Sequence, residues 1–413
     1  MAKFSKKHGF GTLVTHFAEG HNPHHAHITP IYQTSTFSFP DVAIGAATFA
    51  GQQPGYVYTR IGNPNVNQLA AKIAALEGWD LLRANPDANP EDVTAGLMFA
   101  SGMAAVTSAI LARAKSGDTL IVQEAIYGNT FTFLLDIGIP EMGLNVVWVR
   151  DTSPEGWRAA FAAHPNAVLA YAETPANPTM DVVDLQAVAE IAHQYGAWAF
   201  VDNTFASPYC QRPLSLGCDV IIHSTTKYLS GHGVIVGGAV VSKHVDWVRT
   251  RLKRNLKAFG GSASPFDAWL TNMGLKTLEL RMQRHSENAL TIARYLQPHP
   301  KVARVFYPGL PEDPGYEIAC KQMYAFGGML SFELKGGLQA GETLMNSVQI
   351  ATLAVSLGNV DTLIEHPASM THAGIPQAER ELAGITDGLV RLSVGIENVQ
   401  DLIDDLEQGL AKV

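Results

Sequence analysis

The sequence has few cysteines and lacks the long apolar runs of membrane helices. Its three cysteines, Cys210, Cys218 and Cys320, show no CxxC spacing, which argues against a disulfide framework and against a zinc site. No apolar run approaches the roughly 18 residues that a membrane helix needs, and no apolar segment follows the basic N-terminus as it would in a signal peptide. These absences predict a cytoplasmic protein without a membrane partner.

Charge is also scarce, because only 16% of the residues are charged whereas 46% are hydrophobic. So low a charge content argues against long disordered tails. The formal net charge of −9 argues against a broad nucleic-acid surface, since phosphate backbones are bound by clustered Lys and Arg. A chain of 413 residues can bury a large core and is usually divided into two or three domains.

Three regions differ in their hydrophobic pattern. Residues 1–63 are rich in His, Pro, Gly and Thr, show weak periodicity and are predicted to form an extended N-terminal arm. A helix is expected to begin at Asn63 and Pro64, because Asn is a good N-cap and Pro suits the first helical position, and to stop at Gly78. Residues 264–413 open with a long helical stretch to about Leu296 and then mix strands with helices. We therefore predict a central domain over 64–263 and a smaller α+β C-terminal domain over 264–413.

Apolar runs alternate with helical patterns between residues 95 and 245. The runs are nearly continuous, as in strands buried on both faces, and they cover 97–100, 119–123, 145–149, 167–173, 197–203, 218–224 and 237–242. This alternation predicts an α/β domain with a mainly parallel, seven-stranded sheet. Ligands of such sheets bind at the carboxyl ends of the strands, so candidate site residues should follow the strands.

A lysine follows one of these buried runs. Lys227 lies in the segment HSTTKYLSGH, and burial would lower the pKa of its amine and make it a better Schiff-base nucleophile. Ser224 and Thr226 stand at alternate positions beside it, which suits hydrogen bonds to a phosphate. A surface lysine after an edge strand is the alternative interpretation.

A carboxylate ends the preceding run. Asp202 lies near the end of the apolar run AWAFVDN. A carboxylate at such a strand end needs a partner, because burying an unpaired charge is costly. A protonated pyridine nitrogen would be such a partner and would make the ring an electron sink, whereas a helix cap or a buried ion pair is the alternative. With Lys227 one strand later, the pair predicts a site for pyridoxal 5′-phosphate (PLP).

Other positions are compatible with this cofactor. Gly102 and Met103 lie between a strand and a helix, where backbone amides can hold a phosphate. Tyr127 follows a strand and is a candidate for ring stacking or proton donation, with a core tyrosine as the alternative. Arg391 alternates with apolar residues in LVRLSVG, which suits a bidentate clamp for an α-carboxylate; a structural salt bridge would suit this pattern equally.

A histidine cluster suggests a metal site at first sight. His21, His24, His25 and His27 lie within HNPHHAHITP. The segment has no helical pattern and no matching cysteine or carboxylate set. We therefore predict an ordinary loop and no metal.

Nine segments combine into a more specific pattern: TPIYQTSTF, YTRIGNPN, SGMAA, YGNTF, ETPANP, VDNTF, HSTTKYLSGH, SLGNVDTLIEHPASMTH and VRLSVGIE. The pattern resembles the Cys/Met-metabolism group of PLP enzymes, which includes methionine γ-lyase, cystathionine γ-synthase and lyases, and homoserine-ester sulfhydrylases. The resemblance runs from about Phe10 to the C-terminus. It implies PLP fold type I, as in aspartate aminotransferase, and a homotetramer built as two dimers with shared active sites.

The resemblance also implies a role for individual residues. Lys227 would form the Schiff base, Asp202 would pair with the pyridine nitrogen, Tyr127 would stack on the ring and Asn177 would contact the ring hydroxyl. The phosphate would be bound by Ser224, Thr226, Gly102 and Met103, and the phosphate of the neighbouring subunit by Tyr58 and Arg60. The substrate carboxylate would be bound by Arg391 and Ser356. In the shared mechanism Lys227 removes the Cα proton, and Tyr127 is the acid for the leaving group.

Three positions bear on the substrate. Val355 stands where cystathionine enzymes usually carry a Glu that can attract the distal amino group, and an apolar residue suits a short γ-substituent such as a thiomethyl. Asn129 stands where methionine γ-lyases usually have Cys, and Ala258 where they usually have Asp. Asn129 and Ala258 are departures from methionine γ-lyases, whereas Val355 favours them, and the resemblance implies γ-elimination of L-methionine to 2-oxobutanoate, ammonia and methanethiol. Alternatives are γ-replacement on O-acetylhomoserine, cystathionine synthesis or cleavage, and, less favoured, aminotransfer.

Overall fold

The computed structural model describes residues 8–20, 22–371, 373–374, 376–382 and 384–413. Within this part of the chain, twelve strands form two sheets. The first sheet contains β1 (Ala95–Phe99), β2 (Thr119–Gln123), β3 (Asn145–Val149), β4 (Leu169–Glu173), β5 (Trp198–Asp202), β6 (Val220–Ser224) and β7 (Gly238–Ser242). The second contains β8 (Val302–Phe306), β9 (Met329–Leu334), β10 (Thr352–Leu353), β11 (Leu363–Glu365) and β12 (Leu389–Ser393).

Helices surround both sheets. Their bounds are α1 (Phe10–His16), α2 (Val42–Phe49), α3 (Pro64–Glu77), α4 (Trp79–Ala84), α5 (Pro90–Val93), α6 (Gly102–Arg113), α7 (Gly128–Phe133), α8 (Pro154–Ala163), α9 (Leu185–Gln194), α10 (Ser207–Cys210), α11 (Val245–Trp247), α12 (Lys253–Phe259), α13 (Pro265–Leu275), α14 (Leu278–Leu296), α15 (Tyr316–Gln322), α16 (Gly337–Met345), α17 (Gln377–Leu382) and α18 (Val399–Leu410). Short π-helical turns at Leu134–Gly138 and Val248–Leu252 extend α7 and precede α12. Among the described residues, no helix is both long and apolar enough to cross a bilayer.

The first sheet has the strand order β1-β7-β6-β5-β4-β2-β3. Strands β6, β5, β4, β2 and β3 are parallel, whereas β7 is antiparallel to both of its neighbours. Side chains alternate between the two faces, so that Tyr171 and Phe200 pack with α6 on one face and Val201 with α9 on the other. The predicted α/β fold with a mainly parallel, seven-stranded sheet is confirmed.

Local sequence signals account for the helix starts around the sheet. Asn63 caps α3 by accepting the N–H of Asn65 at 3.0 Å, and α3 ends at Gly78 as predicted. Ser101 caps α6 by accepting the N–H of Ala104 at 3.1 Å. This cap places the N-terminus of α6 directly after β1.

The N-terminal region differs from the predicted extended arm, because it contains α1 and α2. Helix α1 is only seven residues long and buries Leu13 and Val14, too few apolar positions to give a clear period. Helix α2 is capped by Asp41, whose side chain accepts the N–H of Ile44 at 2.8 Å. The short helix α5 follows α4 and begins at Pro90. The predicted domain bounds at residues 63 and 263 stay a prediction.

The histidines of the predicted loop lie partly outside the described residues, since His21 is among those left out. His24, His25 and His27 are exposed and lie outside helices and strands. In the described part of the chain, no group of three or more His, Cys, Asp or Glu side chains is arranged to hold a metal ion.

The second sheet has the order β10-β11-β12-β9-β8 and is mostly antiparallel. Its core joins Ile292 of α14, Phe332 of β9, Leu392 of β12 and Leu406 of α18. The predicted long helical stretch is two helices, α13 and α14. The predicted smaller α+β unit is confirmed, and its strand β12 carries Arg391 towards the first sheet.

Candidate active site

The carboxyl ends of three neighbouring parallel strands meet at one cleft. Strands β4, β5 and β6 end at Glu173, Asp202 and Ser224, and alternation puts these three side chains on the same face. The cleft has a volume of about 460 Å³. Of the residues expected from the sequence, it is lined by Gly102, Met103, Tyr127, Asn129, Asn177, Asp202, Ser224, Thr226, Lys227, Val355 and Arg391.

The amine of Lys227 lies inside this cleft. Its Nζ donates a hydrogen bond to the hydroxyl of Ser356 at 3.0 Å, which brings Ser356 to the site as well. Burial lowers the pKa of Lys227 to about 8; the nearby Arg391 acts in the same direction and Glu365 against it. About one amine in ten is therefore the neutral, nucleophilic form at pH 7.

Asp202 is a buried carboxylate with an incomplete set of partners. It is 8% exposed, and its Oδ1 accepts the N–H of Thr204 at 3.0 Å. Among the described residues it forms no salt bridge within 4.0 Å, and burial raises its pKa. Because a lone buried anion is costly, a cationic ring nitrogen is a fitting partner at this position.

The neighbouring strand end and helix start form a narrow cradle. A Cβ on Gly102 would lie 2.9 Å from the Cβ of Ser224, so the backbone approaches here as only glycine allows. The first amides of α6, including that of Met103, have no acceptor within the helix. The hydroxyl of Thr226 accepts the N–H of Gly237 at 3.1 Å and is held at the same place. Free amides at a helix N-terminus together with hydroxyls suit a phosphate, so the cradle fits the phosphate of PLP.

Arg391 reaches the cleft from the second sheet. Its Nη1 lies 3.1 Å from Oε1 of Glu365 and 3.0 Å from Oδ1 of Asn177, and its Nη2 donates to the carbonyl of Ser356 at 2.9 Å. Its buried Nε has no hydrogen-bond partner among the described residues. Arg391 is thus part of a salt bridge, as one interpretation of the sequence has it, and it also lines the cleft. Its role as a clamp for an α-carboxylate stays a prediction.

Three further residues mark the mouth of the cleft. Tyr127 is 42% exposed, and its hydroxyl accepts a hydrogen bond from Nδ2 of Asn129 at 3.0 Å. Val355 is 56% exposed and presents an apolar surface next to Ser356. The cleft is therefore lined at its exposed side by a phenol and an aliphatic side chain.

Tyr58 and Arg60 do not line the cleft of their own chain. Both are exposed, and the Arg60 guanidinium lies 5.7 Å from the centre of the Tyr58 ring. Nη1 of Arg60 donates to the carbonyl of Lys257 at 2.6 Å. The two side chains are therefore available at the surface of the chain.

Two carboxylates at the site were missed by the sequence reasoning. Glu173 ends β4 and accepts the backbone N–H of Tyr127 at 2.7 Å and that of Asn177 at 3.1 Å. Burial and the neighbouring Asp202 raise its pKa to about 8, although the two amides favour its anion. Glu365 pairs with Arg391, and burial raises its pKa. Glu173 could have been found by the argument applied to Asp202, since it too is a carboxylate that ends an apolar run.

Comparison with known proteins agrees with this geometry. The model of the family described as Cys/Met metabolism PLP-dependent enzyme matches residues 11–411. The chain is 47% identical to the L-methionine gamma-lyase of Fusobacterium nucleatum subsp. nucleatum, with 99% of each chain covered, and 46% identical to that of Porphyromonas gingivalis, with 97% of each covered. It superposes with a TM-score of 0.89 on the crystal structure of cystathionine gamma synthase from Xanthomonas oryzae pv. oryzae in complex with cystathionine, at 38% identity and 98% coverage of both chains. The chain has PLP fold type I and belongs to the Cys/Met-metabolism family of PLP-dependent enzymes.

Proposed function

We propose that this enzyme catalyses γ-elimination on L-methionine, consuming water and releasing 2-oxobutanoate, ammonia and methanethiol. The observation that carries the proposal is the convergence of Lys227, Asp202 and Arg391 on one cleft whose mouth is formed by apolar Val355. Relatives that act on L-methionine share 43–47% of their residues with this chain, which supports the same choice of substrate.

The cofactor is held by groups at the strand ends. We propose that Asp202 keeps the ring nitrogen protonated, that the ring stacks on Tyr127, that Asn177 contacts the ring hydroxyl, and that the phosphate is bound by Gly102, Met103, Ser224 and Thr226. Bound as a Schiff base to Lys227, PLP supplies an electron sink for the negative charge that develops at Cα.

Side chains of this protein orient the substrate and transfer protons. The α-carboxylate of the substrate is oriented by Arg391 and Ser356, the second of which already lies 3.0 Å from the Lys227 amine. Once displaced by the substrate amine, Lys227 would accept the Cα proton as a free base, a role that its lowered pKa supports. After passing that proton to the cofactor, the regenerated free amine would accept a Cβ proton. The Tyr127 hydroxyl then donates a proton to the departing sulfur, assisted in its placement by Asn129.

A substrate panel tests this proposal. Purified holoenzyme is incubated with L-methionine, L-cystathionine or O-acetyl-L-homoserine plus sulfide, while 2-oxobutanoate, ammonia and thiol are measured. We expect methionine to yield all three products, and the Lys227→Ala variant to yield none. A matched Val355→Glu variant should gain activity on cystathionine relative to methionine, because a carboxylate at the mouth attracts a distal amino group. Turnover of the ester with sulfide, without turnover of methionine, would reject the proposal.

A second candidate is γ-replacement on O-acetylhomoserine. The observation that favours it is the polar amide of Asn129, which bonds to the Tyr127 hydroxyl on the leaving-group side of the cleft. An amide there can also hydrogen-bond an ester oxygen, which a thiomethyl group cannot use as well. Homocysteine produced from the ester and sulfide, with little 2-oxobutanoate, would identify this reaction.

We further propose that the active site is shared in a homotetramer built from two dimers, in the cytoplasm. Tyr58 and Arg60 are exposed and lie outside the cleft of their own chain, as residues that reach the phosphate of a neighbouring subunit would be. Mixing inactive Arg60→Ala and Lys227→Ala subunits should restore activity, since each mixed pair has one site with both residues intact. Mixtures that stay inactive although the subunits exchange would contradict the shared site.

A further inference from the structure

One buried carboxyl group has no role in the proposed reaction but accepts hydrogen bonds from the backbone of two residues proposed to contact PLP. Glu173 is 4% exposed, and each of its oxygens accepts one backbone N–H, Oε2 that of Tyr127 at 2.7 Å and Oε1 that of Asn177 at 3.1 Å. Its own N–H donates to Oε1 of Gln123 at 3.0 Å. The side chain therefore ties the loops after β2 and β4 to the same strand end.

The position of this carboxylate is unfavourable for stability alone. Glu173 and Asp202 are cross-strand neighbours in register on β4 and β5, both are buried, and their side chains share one face. Two neighbouring buried carboxylates repel each other and lack the solvation that water would provide. A neutral acceptor could cap a strand end without this cost, so an ionisable side chain at this position calls for an explanation at the site itself.

We propose that Glu173 is a positioning residue that fixes the Tyr127 ring and the Asn177 amide against bound PLP through their backbone amides. The inference rests on the PLP contacts given to these two residues under the proposed function. The two bonds from the backbone amides hold both loops through one side chain. They leave both side chains free to face the cleft, where Tyr127 is 42% exposed and otherwise held through its hydroxyl by Asn129.

The Glu173→Gln variant tests the inference with little change in volume. A glutamine has one acceptor oxygen, so its NH₂ must face one of the two amides as a second donor. We expect PLP to bind the apoprotein about tenfold to a hundredfold more weakly, as when a buried donor is left without an acceptor. The visible circular dichroism of bound PLP, which reports the placement of the ring, should change as well. Glu124→Gln is the matched control, because Glu124 pairs with Arg150 and does not line the cleft.

A double-mutant cycle separates positioning from general stabilisation. In a Tyr127→Ala background the ring is absent but the backbone amide remains, so Glu173→Gln should weaken PLP binding by a clearly smaller factor than in the unaltered chain, because only its effect through Asn177 is left. Fully additive effects on the PLP dissociation constant, or an unchanged constant in Glu173→Gln alone, would overturn the inference.

A measurement on the unaltered holoenzyme covers the case in which the variant does not fold. Hydrogen exchange at the amides of Tyr127 and Asn177 should be slow, because both are bonded to a buried carboxylate, and exchange as fast as in exposed loops would overturn the inference. These readouts do not depend on the amino acid that is turned over. An enzyme that binds PLP but does not act on methionine would therefore refute the proposed substrate and leave Glu173 to be judged separately.

Discussion

The amine of Lys227 should react with PLP as a free base near neutral pH. Its pKa is lowered from 10.5 to about 8, chiefly by burial and secondarily by Arg391. At pH 7 a pKa of about 8 leaves about one amine in ten neutral, against about three in ten thousand at 10.5. The protein thereby raises the reactive fraction by about 300-fold.

The assay is covalent loading of the apoprotein with a saturating amount of PLP, followed by visible absorbance in a stopped-flow instrument at a series of pH values. A lowered lysine pKa means that the neutral form grows with pH and is complete above that pKa. The loading rate should therefore rise about tenfold per pH unit below pH 8 and level off above it. A rate that still climbs steeply between pH 9 and pH 10 would refute the reasoning.

A single substitution should move the midpoint of this pH profile, which is the pH at which half of the Lys227 amine is neutral, in a known direction. Glu365 opposes the shift by favouring the charged amine, so Glu365→Gln should move the midpoint below the value of the unaltered enzyme. Glu124→Gln, which removes a carboxylate outside the cleft, should leave the midpoint in place. A midpoint that moves to higher pH in Glu365→Gln would show that the charge balance around Lys227 is not the one described.

Three other substitutions have defined outcomes. Asp202→Asn should lower kcat by at least about a hundredfold, because the cationic ring nitrogen loses its counter-charge. Steady-state release of 2-oxobutanoate measures kcat, and a near-normal value would contradict the pairing of Asp202 with the ring nitrogen. Arg391→Lys should raise KM about tenfold to a hundredfold with a smaller change in kcat, since the planar guanidinium fork is lost. An unchanged KM would argue against binding of the substrate carboxylate by Arg391. Gly102→Ala would bring a Cβ within 2.9 Å of the Ser224 Cβ and should weaken PLP binding about tenfold or more, by titration of the apoprotein, whereas unchanged binding would show that the cradle yields.

The central fold could be predicted because its strands leave a direct trace in the sequence. Strands buried on both faces are continuous apolar runs, and all seven predicted runs coincide with β1–β7 to within a few residues. The strands β10 and β11 were not predicted, since they are two and three residues long and too short to show a period. Helices α1 and α2 lie in a region where few side chains are buried, so their pattern is equally weak.

The site residues, like the strands, could be predicted most directly where an apolar run marks them. Asp202 and Lys227 follow apolar runs, and the general rule that ligands bind at the carboxyl ends of strands leads to them directly. Glu365 gives no such signal, because its importance arises from the cross-strand register that pairs it with Arg391. That register is a property of the folded second sheet and is absent from local composition.

The pairing of Glu365 with Arg391 also changes what the predicted clamp can contribute. A buried ion pair is close to neutral in net charge, and the cost of desolvating both groups offsets most of their attraction. Arg391 therefore presents less positive potential to a substrate carboxylate than an unpaired arginine would. On the proposed function, the binding of that carboxylate would then depend on geometry, through the unpartnered Nε of Arg391 and the hydroxyl of Ser356. Arg391 lines the cleft and the Ser356 hydroxyl accepts a hydrogen bond from the Lys227 amine, so a carboxylate bound as proposed would lie where the Cα proton must meet the base.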